Sequence, residues 1–146
     1  MNISALPTWF FWAAMSAVFA ALTAIFAKIG LEGVDSDFAT LIRTFVIIAV
    51  LAVFVYATGK WTDPRTLSSR TLIFLVLSAL ATGASWVCYF RALKIGDASL
   101  VSAVDKFSVV LVAVFALIFL GERPSGWGWF GILLVGLGVV VLAVKK

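Results

Sequence analysis

Between Ala98 and Leu120 the chain carries two charges, and they are neighbours: Asp105 and Lys106. An acid and a base inside an apolar run can exchange protons, hold an ion or receive a charged solute, and they can equally be locked into a structural knot. Lys106 lies nine residues past Asp97, which at the helical rise is roughly 13 Å, close to the middle of a hydrocarbon core about 30 Å thick. Each such charge costs about 2.5–3.5 kcal/mol on insertion scales, so partners, a wet cavity or a function should accompany the pair. Successive helical residues differ by about 100° around the axis, which points Asp105 away from Lys106 and places Lys106 on the face of Ser102. The two charges are therefore expected to find partners on other helices rather than in each other.

Further polar groups stand at depth elsewhere. Arg43 lies six residues inside Asp37, roughly 9 Å from that boundary. It either snorkels to a headgroup or turns inward to pair with Asp105 or grip an anionic group with its planar fork. Thr40 and Thr44 flank it. Ser78, Thr82, Ser85 and Tyr89 recur at intervals of four, three and four, one helical face, with Trp86 beside it. Such hydroxyls either line a cavity or satisfy backbone carbonyls and neighbouring helices.

Enzyme chemistry has little to stand on. There is no histidine, and the single cysteine, Cys88, sits in an apolar run and reads as a small core residue. Neither a disulfide framework nor a metal cluster can be assembled, and no nucleophile–base arrangement stands out. No cofactor is implied. Lysine and arginine are scattered among apolar runs without a basic patch, so nucleic acid is set aside as a partner.

The elements that must position these groups follow from composition. With 64% hydrophobic and 12% charged residues, the chain lies far from soluble averages, where charged residues supply about a quarter, and reads as an all-α polytopic membrane protein in contact with lipid. Polar breaks divide it into five spans, about 8–29, 37–58, 70–93, 98–120 and 126–144, each long enough to cross a bilayer. Short connections rich in Gly, Pro, Asp and Ser suit helical hairpins. The whole of 1–146 reads as one five-helix membrane domain. Its first span has no Lys or Arg before it and is too long for a signal h-region, so it is expected to stay attached.

The spans carry packing signals as well. Trp9 and Trp12 suit the headgroup level. Ala13, Ala17, Ala20, Ala24 and Ala27 form a small-residue stripe, and Gly128, Gly131 and Gly138 share a face of the last span. Lys28 and Glu32, four apart, suit a local interfacial pair.

With these motifs placed, the chain resembles one repeat of the drug/metabolite transporter superfamily, in its EamA-like branch. The resemblance rests on Tyr89-Phe90-Arg91-Ala92-Leu93-Lys94-Ile95-Gly96-Asp97-Ala98-Ser99-Leu100-Val101, on Phe119-Leu120-Gly121-Glu122-Arg123-Pro124, and on the Gly131–Gly136 run. It implies half of an inverted-repeat fold: familiar members hold two five-helix repeats of opposite orientation and move small solutes by alternating access. This chain departs from the pattern at Asp105-Lys106, where the family often places a helix-breaking proline. It does not resemble the four-helix small multidrug exporters, because its first span lacks their glutamate.

Charge on the connections barely selects an orientation: Lys60, Arg65, Arg70 and Arg123 oppose Lys28, Arg91, Lys94, Lys145 and Lys146. A chain so weakly biased can insert both ways, and two copies would then form the inverted pair. The expectation is a small secondary transporter of the bacterial inner membrane, an antiparallel homodimer moving a small polar or charged solute. Its path would be lined by Arg43, Ser78, Thr82, Ser85, Trp86, Tyr89, Ser102, Asp105 and Lys106. A channel or lipid-translocating subunit and a non-transporting scaffold are the alternatives.

Overall fold

The computed structural model describes residues 7–144; Lys145 and Lys146, counted above in the orientation argument, lie outside the described residues. All the regular structure within them is helical: α1 (Thr8–Gly30), α2 (Ser36–Ala57), a 3₁₀ turn (Pro64–Thr66), α3 (Ser69–Ile95), α4 (Ala98–Asp105), α5 (Ser108–Phe115), a π-helical turn (Ala116–Leu120) and α6 (Gly126–Val144). Together they make five spans long and apolar enough to cross a membrane, with bounds within two residues of those read from the sequence. The chain clusters into two compact units, one of Phe26–Lys94 and one made of residues up to Ile25 together with those from Ile95 onward.

Local chemistry sets the helix ends. Asp35 caps α2, its carboxylate accepting from the Asp37 and Phe38 amides at 3.0 and 3.1 Å, and Asp63 caps the 3₁₀ turn by accepting from the Arg65 amide at 2.9 Å. The fourth span ends at Gly121, which takes the left-handed conformation at φ 69°. Glu122 then donates its amide back to the Ala116 carbonyl at 3.2 Å. Glycine adopts that conformation without the Cβ penalty other residues incur, so the Leu120-Gly121-Glu122 step is a stop signal with a mechanism.

The fourth span tightens part-way along, its backbone staying in the right-handed helical region at Lys106 and Phe107. Lys106 donates its amide to Ala103 and Phe107 to Val104, at 3.1 and 3.0 Å. These i→i−3 bonds replace the helical i→i−4 pattern and separate α4 from α5 without a proline. Both amides stay paired, which a backbone at hydrocarbon depth requires.

Packing follows the rules of lipid rather than water, where helices approach through small residues and polar contacts. In the Phe26–Lys94 unit the buried residues are Ala27, Leu31, Ser36, Thr40, Phe90 and Leu93, where the end of α1, the α1–α2 connection and the last turns of α3 converge. Of the alanine stripe only Ala24 and Ala27 are buried. In the other unit α6 runs beside α4 and α5, and the close approach falls at Gly136, where a Cβ would lie 3.1 Å from Val110 Cγ2. Gly131 and Gly138 of the predicted glycine face have open space instead. Periodicity identifies a face; it does not say which face meets a neighbour. Cys88 likewise is exposed rather than in a core, because an apolar run in a membrane helix serves lipid as well as an interior.

Candidate functional site

In the Phe26–Lys94 unit a polar cluster ties three helices at one end. Arg91 donates from Nε to Asp37 Oδ1 at 2.9 Å and from Nη2 to Oδ2 at 2.5 Å, a two-pronged grip joining the last turns of α3 to the first turn of α2. Lys94 donates to the Val34 carbonyl at 2.5 Å and Lys28 to the Leu93 carbonyl at 2.7 Å. Ammonium groups so placed satisfy a carbonyl of the α1–α2 connection and one in the last turn of α3. Lys28, read as half of a local pair with Glu32, is thus engaged 65 residues away. The Asp37–Arg91 pair escaped sequence reasoning. Its only signal was an acid opening one span and a base closing the next, on one side of the membrane.

Arg43 sits one helical stretch deeper. Its guanidinium carbon lies 4.1 Å from the centroid of the Phe90 ring, and Phe90 is 2% exposed. Its Nη1 is buried and has no hydrogen-bond partner among the described residues. The side chain lies over the face of a ring whose neighbour in sequence, Arg91, grips Asp37. Thr40 and Thr44 donate their hydroxyls to the Ser36 and Thr40 carbonyls, each at 2.8 Å, so neither has a proton left for a ligand.

The hydroxyl stripe of α3 divides. Ser78, Thr82 and Ser85 are exposed, and Thr82 donates to the Ser78 carbonyl at 2.9 Å. Trp86 and Tyr89 are half-buried, and the Tyr89 ring meets Phe90 edge-on with centroids 5.7 Å apart.

In the other unit Ser102 is half-buried on α4, and Asp105 and Lys106 stand at the break. Here the expectation that the two charges need separate partners fails: Lys106 Nζ lies 3.4 Å from Asp105 Oδ2, both side chains remaining accessible. The Cβ directions of Asp105 and Lys106 diverge around the helix, but a charge at the end of a long side chain is not fixed by its Cβ direction. Lys106 occupies the C-cap of α4, so its four-carbon stem can reach around the helix end. The contact is long and exposed, of the kind that contributes about 1 kcal/mol or less.

Comparison with known proteins agrees with the membrane architecture and the quoted motifs. The EamA-like transporter family matches residues 7–144. The chain belongs to that family. An uncharacterized transporter from the cobO 3' region of a Sinorhizobium species is 55% identical over 137 residues, which cover 94% of this chain and 97% of that protein. An uncharacterized transporter, YxxF, of Bacillus subtilis (strain 168) is 24% identical over 136 residues, 92% of this chain and 42% of the relative, so more than half of that protein lies outside the match. No solved structure matches. As an EamA-family transporter the chain is an integral membrane protein whose polar groups at depth are the candidates for handling a solute.

Proposed function

We propose that this EamA-family protein is a secondary transporter of the bacterial inner membrane that moves a small polar or charged solute by alternating access, two copies acting as an antiparallel pair. The observation that carries the reading is the interrupted fourth span. A tightened 3₁₀ turn inside a helix often marks a functional hinge, and secondary transporters place their solute and ion sites where a spanning helix is interrupted near the midplane. Here the break coincides with an accessible acid and base and with Ser102 one turn before Lys106. An accessible ion pair in lipid is costly; the same pair facing a water-filled path is not. The small orientation bias of the connections supports the antiparallel arrangement.

The test is transport in proteoliposomes, with candidate solutes first selected by thermal stabilisation, since a ligand that binds the native state raises apparent stability by mass action. Saturable uptake accelerated by unlabelled solute on the opposite side supports a carrier. Flux that neither saturates nor responds to solute on the far side would make the protein a channel and end the alternating-access reading.

A further inference from the structure

The buried edge of Arg43 points to the class of ligand. Arg43 lies seven residues into α2, about 10 Å along the axis, with Tyr89 of α3 as an electrostatic neighbour that gives Nη1 no hydrogen bond. The nearest acid on its own helix, Asp37, is held by both prongs of Arg91. Asp35 is occupied by the α2 amides, and both flanking threonines have given their protons to the helix backbone. Phe90 covers one face of the guanidinium at 4.1 Å. A stack of that kind engages the π face and leaves the N–H donors free in the plane. Among them Nη1 is buried without a partner.

A buried donor on a charged group is expensive to leave unmade, and a guanidinium whose face is pinned presents its edge in a fixed direction. The matching acceptor is an oxyanion: a carboxylate or phosphate carries two oxygens at the spacing of the arginine fork. We propose that Arg43, braced on Phe90, is an oxyanion receptor, and that the solute moved by this protein is acidic. This rests on the transport reading for the word solute; the receptor itself does not depend on it. The same chemistry is offered by the phosphate of a lipid headgroup, so the experiment separates the two sources.

The protein is placed in nanodiscs of phosphatidylcholine alone, and its thermal unfolding is followed while acetate, succinate, citrate or inorganic phosphate is titrated at constant ionic strength. Acetamide and succinamide serve as uncharged counterparts. A second set of discs contains phosphatidylglycerol. The expected result is saturable stabilisation by a free oxyanion and none by its amide. Affinity should fall about tenfold to a hundredfold in Arg43→Gln, the range for a hydrogen bond to a charged group, and by less in Arg43→Lys, which keeps the charge and loses the fork. Stabilisation confined to the phosphatidylglycerol discs and lost in the same variants assigns the oxyanion to lipid and overturns the acidic solute. Equal responses to acid and amide, no response in either disc, or a response indifferent to Arg43→Gln overturns the receptor. Where Arg43→Gln does not fold, Arg43→Lys and the acid–amide comparison on the unaltered protein decide. Binding is read at equilibrium, so an oxyanion that binds without counterflow removes the transport reading alone. Counterflow of a neutral solute that survives Arg43→Gln removes the acidic solute alone.

Discussion

Replacing Phe90 tests the geometry around Arg43. The ring is 2% exposed and the guanidinium carbon sits 4.1 Å above its centroid, toward the desolvated end of cation–π energies, about 2 kcal/mol against about 0.5–1 at exposed sites. Phe90→Leu keeps most of the packing volume, and volume-conserving apolar swaps cost less than about 1.5 kcal/mol on packing grounds. A loss of about 1–3 kcal/mol is therefore expected, the excess over packing being the stack. The clean quantity comes from a double-mutant cycle of Phe90→Leu, Arg43→Met and both together, whose coupling should be about 1–2 kcal/mol. Equilibrium unfolding in mixed micelles, followed by tryptophan fluorescence, supplies the free energies; Trp86, one turn before Phe90 and half-buried, gives a local signal. Coupling within about 0.3 kcal/mol of zero, where independent sites fall, would show that the ring does not brace the guanidinium.

At Gly136, Ala should change stability by less than about 1 kcal/mol, because the helix-propensity gain offsets a small shift of Val110, whereas Leu should cost about 1–3 kcal/mol by overpacking, measured in the same unfolding assay. Single reversals Asp37→Arg or Arg91→Asp should reduce folded yield in fluorescence-detected size exclusion, and the exchanged pair should recover much of it; a double variant as poor as its parents would mean the two-pronged grip is dispensable. Asp105→Asn removes the one acid of the fourth span and should reduce uptake while leaving folding intact, and Lys106→Met should alter uptake with a stability change of about 1 kcal/mol or less; full uptake by Asp105→Asn would make Asp105 dispensable for transport. A reporter fused after Lys146 should be found on both sides of the membrane, and two or three lysines added to one set of connections should collapse it to one side; a single orientation in functional, unmodified protein refutes the antiparallel pair.

What the sequence by itself determined is what depends on short stretches. The five spans and their limits follow from apolar length and from the need to pair every backbone group within a helix, and Asp35, Asp63 and Gly121 mark ends because a cap reads only the next few residues. The motifs at 89–101 and 119–124 identified the family for the same reason. Tertiary structure decided whatever depends on residues far apart in the chain. Asp37 meets Arg91 across 54 residues and Lys28 meets Leu93 across 65, and only the packing of helix ends brings them within reach. Periodicity gave Arg43 a depth, but the Phe90 ring determined its direction. The break at Lys106 lies between these cases. No residue there forbids a helix, so nothing local announces the i→i−3 turn, and its result, an acid and a base held together at a helix end, inverted the partner choice inferred from a continuous helix. A membrane chain is especially reticent about such choices, since lipid and protein interior are equally apolar and the contrast that reveals a buried face in water is missing.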